Sequence, residues 1–451
     1  MKKKSVILFT LILSFTMMAC NGDKEVENTS DNQVWENVVT EAPIEEPPVI
    51  EEPSVTEDSP VEDSPVMADV VTGDARPNLY LSLLEGKKVA ILSNQTGIVG
   101  DDEGKGHILD FLIENGVNVT AIFSPEHGFR GDADAGAGVD NSVDSKTGVP
   151  ILSLYGNGHY PADSDMDSFD VLVVDIQDVG LRYYTYYITM FYMMEACSSA
   201  DKEVVILDRP NPNGFYVDGG ILKDEYKSGV GLLPIPTVHG MTLGELAQMI
   251  DGEGWLKTGK NSCKLTVIPC DNYTHSTLYE LKKNPSPNIK DMRAVYLYAS
   301  TCYFENTVIS VGRGTDFPFE AYGSPYLEGV TGNEFTFTPV SMTGASSPLY
   351  EGEVCYGKDL RLVPMEDVLS NGINLNYLID AYNDYKSVNP DGNFWGNPDK
   401  NGHYWVDLLS GSDEVRTLIE EGKTSDEIKE TWKGELDKFR ESRKKYLLYG
   451  D

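Results

Sequence analysis

The sequence predicts an α/β protein, in which a Rossmann-like domain built on a parallel sheet is followed by a smaller α+β C-terminal domain. Three observations carry this. From about Pro77 onward, short continuous apolar runs alternate with longer amphipathic ones, the pattern of parallel strands covered by helices on both faces. The chain, at 451 residues, is longer than one ordinary core accommodates. The alternation also loses its regularity after about residue 285, where a different kind of domain is expected.

Taken in order, residues 1–20 read as a signal. Lys2, Lys3 and Lys4 precede the apolar run SVILFTLILSFTMMA, which ends just before Cys20. The run is short for a membrane-spanning helix of ~20 residues, and its layout resembles a bacterial lipoprotein signal in which Cys20 becomes the lipidated first residue. The expected location is therefore outside the cytoplasm, lipid-anchored to a membrane of the cell envelope. Residues 21–77 hold 16 Asp/Glu against Lys24 and Arg76, seven of the 24 prolines and the single aromatic Trp35. So little apolar surface cannot offset the entropy of ordering, and the stretch reads as a disordered tether. The formal net charge of −36 argues against nucleic acid as a partner.

Residues 78–285 make up the expected Rossmann-like domain. KKVAILS (87–93), VNVTAIF (117–123), VLVVD (171–175) and VVILD (204–208) are its buried strands. HILDFLIEN (107–115) is a helix with Ile108, Leu109, Leu112 and Ile113 on one face, and a second helix lies between 183 and 200. Residues 286–451 form the smaller domain. AVYLYAS (294–300) and FTFTPVS (335–341) read as strands, and 365–385 and 425–449 as helices. The last has Ser425 as N-cap and Ile428, Trp432, Leu436 and Phe439 at helical spacing. Past the signal there are five cysteines, Cys197, Cys263, Cys270, Cys302 and Cys355, with no CxxC spacing. They support neither a zinc site nor a dense disulfide framework, although a Cys263–Cys270 hairpin pair stays open.

In an open parallel sheet, ligands bind beyond the carboxyl ends of the strands. Each of the four strands here runs into a polar loop: SNQTG with Asn94 and Gln95, SPEHGFRG with Glu126, His127 and Arg130, DIQDVGLRYYTY with Asp175, Gln177, Asp178, Arg182 and Tyr183, and DRPNPNG with Asp208, Arg209 and Asn211. Turning the chain needs the Gly and Pro of these loops but not their charges, so this edge is the expected site. Several chemistries are excluded. GxGxxG is missing after the first strand, GxSxG and HExxH are absent, and an ion-binding loop starting at Asp132 would need Glu where Val143 stands. No metal and no cofactor are therefore expected. Paired carboxylates, arginines and 25 tyrosines suit carbohydrate chemistry.

The ordered motifs SNQTG, SPEHGFRG-DADAG, DIQDVGLRYYTY, LDRPNPNG, VHGMTLGELA, PSPN and GRGTDFPFE resemble the exo-β-N-acetylmuramidases, a glycoside hydrolase family long known as a domain of unknown function. The resemblance covers nearly all of the chain from residue 87. It implies a site in the cleft between a Rossmann-like domain and a smaller one, and release of N-acetylmuramic acid from the non-reducing ends of peptidoglycan fragments. By the same resemblance, Glu126 is the candidate acid/base; Asp175, Asp178 and Glu305 stay open as its partner, the second catalytic carboxyl group. Arg130, Arg182, Arg209 and Arg313 are unranked candidates for gripping the lactyl carboxylate. Asn94, Gln95, His127, Asp175, Gln177, Tyr183, Asp208, Asn211 and His239 are expected among the substrate contacts. The chain departs from the family in ENTVISVGRGT (305–315), where relatives read EGTNxSEGRGT: Val308 and Val311 replace Asn and a second Glu. That departure supports the alternative of a non-catalytic lipoprotein that binds wall sugars.

Overall fold

The computed structural model describes residues 69–125, 129, 141–154 and 160–450. Its main sheet has seven strands: β1 (Lys88–Ser93), β2 (Asn118–Ser124), β3 (Ser142–Val143), β4 (Pro150–Ser153), β5 (Val171–Asp175), β6 (Glu203–Leu207) and β7 (Lys264–Ile268). Their order is β3-β4-β2-β1-β5-β6-β7, and every neighbouring pair is parallel except β3 with β4. Four of the five strands at the centre and at the β7 edge were legible as apolar runs. β7 was not, because its outer position leaves Lys264 and Thr266 exposed.

Side chains alternate across each strand. Ala90, Leu92, Leu172, Val174, Val204 and Ile206 enter one core, whereas Val89, Ile91, Val171, Val173, Val205 and Leu207 enter the other. The second core is closed by α1 (Pro77–Leu84) and α2 (Ile108–Glu114). On α2, Ile108, Leu109 and Leu112 are buried, while Ile113 is 38% exposed and stands off the expected face. Beyond the short helix α3 (Asp163–Met166), the first core contains α4 (Tyr186–Ser199) and α5 (Leu243–Glu253). α4 is buried nearly all round, from Tyr186 to Cys197. α5 starts on a capping box, with Glu245 N–H donating to Thr242 Oγ1 and Thr242 N–H to Glu245 Oε2.

The first core continues without a break into the C-terminal half, through Val295, Tyr303, Phe319 and Phe394 to Phe439. Here the structure corrects the sequence reading at 294–300. These residues belong to the helix α6 (Met292–Thr301), capped by Asp291, whose Oδ1 accepts from Ala294 N. Every residue from Ala294 to Thr301 is buried, so the helix shows no polar face and its Val and Tyr mimic a buried strand. A three-stranded antiparallel sheet follows: β8 (Ala321–Ser324), β9 (Phe335–Phe337) and β10 (Cys355–Asp359), in the order β8-β10-β9. The expected helix over 365–385 is two helices, α7 (Met365–Ser370) and α8 (Asn376–Val388), separated at Gly372, whose φ is +58°. Then come α9 (Trp405–Ser410), α10 (Glu414–Glu420) and α11 (Ser425–Arg443). The N-cap of α11 is Thr424, paired with Glu427 in a capping box, rather than Ser425.

Residues 69–76, read from sequence as the end of the tether, are packed. Val71 pairs with Asp271, and Asp74 is fully buried. Cys263 and Cys270 are unpaired, as are Cys197, Cys302 and Cys355.

Candidate active site

The carboxyl ends of β2, β1 and β5 lie side by side, and the loops leaving them are fixed by their own side chains. Asn94 Oδ1 accepts from Thr96 N (3.0 Å) and Thr96 Oγ1 (2.6 Å), shaping the first loop, and Thr96 Oγ1 accepts from Gln177 N (3.0 Å). Gln95 Nε2 donates to the Pro285 carbonyl (3.1 Å), as do the hydroxyls of Tyr184 (2.8 Å) and Tyr186 (3.0 Å). One carbonyl thus ties the first loop, the start of α4 and the PSPN segment together. In the third loop, Asp178 Oδ1 accepts from Gly180 N, and Gly180 has φ +75° and packs so closely on the Asn211 amide that a Cβ would collide with it.

Five polar atoms along this edge are left over among the described residues. Asn94 Nδ2, Gln95 Oε1, Ser124 Oγ, Gln177 Oε1 and Asp178 Oδ2 are buried without a hydrogen-bond partner there. Buried polar groups are ordinarily paired, so this concentration at three adjacent strand ends marks a place completed by a polar ligand or by water. Ser124, which the sequence reading passed over, ends β2 two residues before Glu126. Glu126, His127, Arg130, Asp132 and Asp134 themselves lie outside the described residues.

Burial pushes the Asp178 carboxyl up to about 7, against the opposing N–H of Gly180. An unfolded Asp titrates near ~3.9, so between these values the folded chain holds a proton that the unfolded chain has released. The stability from this group is complete below the unfolded value and is lost as pH rises through 7. Asp178→Asn keeps the acceptor for Gly180 and removes the titration. Its melting temperature should therefore gain on that of the wild type between about pH 4 and about pH 7, and a gap independent of pH across that range would contradict the raised value.

A cavity of about 900 Å³ opens between the start of α4, the PSPN segment and residues 298–319 and 344–349. Tyr183, Tyr298 and Phe319 line its deep part. Tyr183 contributes its ring, because its hydroxyl is committed to the Ala299 carbonyl (2.7 Å). Arg313 and Glu305 face each other in the same wall, with Arg313 Nε donating to Glu305 Oε1 (2.8 Å) and the guanidinium 4.9 Å from the Phe319 ring centroid. The two terminal nitrogens of Arg313 make no hydrogen bond among the described residues. Val311, at the position where relatives carry a second Glu, also lines the cavity and is buried.

Of the four candidate cations, the structure separates the three it describes. Arg313 is the only Arg or Lys among the described residues that line the cavity. Arg182, expected to grip substrate, is fully buried in the scaffold: its Nη1 donates to the Gly220 and Ile235 carbonyls (both 2.6 Å) and its Nη2 to the Leu409 carbonyl (2.9 Å). Arg209 is likewise enclosed by carboxylates, Asp175 (2.6 Å), Asp74 (2.8 Å) and Asp101 (2.8 Å). Asp175 is thereby spent on Arg209 rather than on substrate, and burial pushes it up to about 7, while Arg209 opposes the shift and Asp74 adds to it.

Several other expected contacts prove structural. Asp208 accepts from Thr242 Oγ1, Gly244 N and the Tyr449 hydroxyl, fastening α5 and the C-terminal tail to β6. Asn211 braces its own loop through Asn213 N and the Met241 carbonyl. His239 Nδ1 accepts from Met241 N, and burial lowers this imidazole to about 3, with Arg443 and Arg182 adding to the effect, so the ring is neutral and lies outside the cavity lining. Asp178 sits behind the lining, while Glu305 belongs to it. Sequence reasoning missed Tyr184, Tyr186, Tyr298 and Trp405. The first two were visible in the YYTYY run, but nothing in the sequence singled out Tyr298 or Trp405. The described residues contain no group of His, Cys, Asp and Glu suited to a metal ion.

Comparison with known proteins bears on the chemistry. The family model for "Exo-beta-N-acetylmuramidase NamZ, N-terminal" matches residues 89–293, and that for the C-terminal part matches residues 296–449. The chain is 35% identical over 388 residues to the peptidoglycan beta-N-acetylmuramidase NamZ of Bacillus subtilis, covering 82% of this chain and 89% of the relative. Two crystal structures of DUF1343 family proteins from Bacteroides fragilis are similar. One has 50% identity and a TM-score of 0.75, covering 85% of this chain and all of that one. The other has 28% identity and a TM-score of 0.71, covering 84% and 99%.

Proposed function

The chain belongs to the exo-β-N-acetylmuramidase family, and on that premise we propose that it is an exo-acting glycoside hydrolase. It releases N-acetylmuramic acid from the non-reducing ends of peptidoglycan fragments, in turnover or salvage of the cell wall. The observation that carries the reading is Arg313, the one Arg or Lys among the described residues that line the cavity: a terminal sugar with a lactyl carboxylate is the acid that it can grip, with Glu305 holding its guanidinium from the side. Glu126, two positions after the end of β2 in the sequence, is the acid/base that protonates the glycosidic oxygen. Glu305 is the carboxyl group that accompanies it from the cavity wall, whereas Asn94, Gln95, Ser124 and Gln177 stand outside the cavity lining and shape the strand ends beside it. Val311 leaves this set intact, so the departure does not favour the non-catalytic alternative.

Incubation with the MurNAc–GlcNAc disaccharide should release free N-acetylmuramic acid, identified by mass, whereas binding without cleavage would favour the sugar-binding alternative. Arg313→Gln should raise KM for this disaccharide by about tenfold to a hundredfold, the value of a hydrogen-bonded charge. It should also abolish the preference over an analogue whose lactyl group is amidated. An unaltered preference would place the lactyl grip elsewhere.

We also propose that Cys20 is lipidated and that the acidic residues after it space the enzyme from a membrane. The basic start, the short apolar run and the cysteine support this reading. A mature N-terminus without an acylated cysteine, measured by mass, would refute it.

A further inference from the structure

The cavity is not uniform in depth. Around Arg313 its lining is buried, with Phe319 1%, Tyr183 3% and Val311 4% exposed. Two other lining residues are large, apolar and open to solvent: Trp405 at 36% and Leu349 at 45%. They mark the mouth. An apolar ring that stays wet at a cavity mouth loses free energy unless something covers it.

The helix that carries Trp405 is also firmly fixed. It opens α9, whose first turn is fixed by Tyr404 N donating to Asp407 Oδ2 (3.0 Å) and by Arg416 Nε donating to Asp407 Oδ1 (2.9 Å). The far end of α9 is fixed by Arg182, through the Leu409 carbonyl. Arg182 thus contributes to the site by fixing the helix that presents the indole.

We infer that Trp405, with Leu349 as the other exposed apolar lining residue, seats the sugar that follows the terminal muramic acid, the N-acetylglucosamine that leaves on hydrolysis. This rests on the muramidase reading. An enzyme that cuts from a chain end takes the terminal sugar into the deep part, here towards Arg313, so the rest of the glycan must run out through the mouth. The cavity, at about 900 Å³, lies near the top of the ~300–1,000 Å³ range for ligand sites and exceeds what one monosaccharide needs. An indole face matches the apolar face of a pyranose ring, and its stiffness makes the contact cheap in entropy. Trp405 is therefore a specificity-determining residue for the leaving group.

The test compares the MurNAc–GlcNAc disaccharide with N-acetylmuramyl fluoride, which carries the same terminal sugar and no sugar as leaving group. The ratio of kcat/KM for the disaccharide to that for the fluoride should fall about tenfold in Trp405→Ala, mainly through KM, and largely recover in Trp405→Phe. A ratio equal to that of wild type, whatever the absolute loss, overturns the assignment, because the ring would then serve the terminal sugar or the fold. A wild-type protein that turns over neither substrate would instead overturn the muramidase reading, and this inference with it.

Discussion

Glu126→Gln is expected to reduce release of N-acetylmuramic acid by about 10²–10⁴-fold, the usual contribution of a positioned acid or base, with the melting temperature unchanged. The replacement keeps shape and hydrogen bonding but cannot exchange a proton with the glycosidic oxygen. The expectation rests on the family motif and on sequence position: Glu126 follows Ser124, the last residue of β2, by two positions, and Ser124 Oγ is buried without a partner among the described residues. A variant that turned over the disaccharide at the wild-type rate would remove Glu126 from the mechanism and leave Glu305 as the described carboxylate in the cavity.

The second large effect is on stability. Arg209 is 2% exposed and is the counter-ion of Asp74, Asp101 and Asp175, which are 0%, 9% and 0% exposed. Removing one member of a buried ionic group leaves the others uncompensated and costs about 3–5 kcal/mol, here with three carboxylates stranded. Arg209→Met should therefore lower the melting temperature by roughly 10 °C, yet leave KM for the disaccharide unchanged at temperatures where the variant is folded. A stable variant with a raised KM would return Arg209 to the substrate contacts.

The contrast between Arg209 and Arg313 shows what the sequence could tell. The strand ends and their polar loops were legible because apolar runs are local. The partners that assign each arginine were not: Asp74 lies 135 positions from Arg209, and the Leu409 carbonyl 227 from Arg182. Four similar cations were therefore one unranked set until burial divided them. The same limit applied at 294–300, where burial on all sides removed the polar face that distinguishes a helix from a strand. Trp405 had no signal of its own, since a cavity mouth exists only once α9, α4 and residues 344–349 have come together.

The most direct measurement uses two glycan fragments of equal length, one ending in N-acetylmuramic acid at its non-reducing end and the other in N-acetylglucosamine, with the products identified by mass over time. An exo-acting muramidase whose deep pocket selects the lactyl carboxylate releases one N-acetylmuramic acid from the first fragment and nothing from the second. Internal cleavage of either fragment, or equal attack on both, would contradict this account.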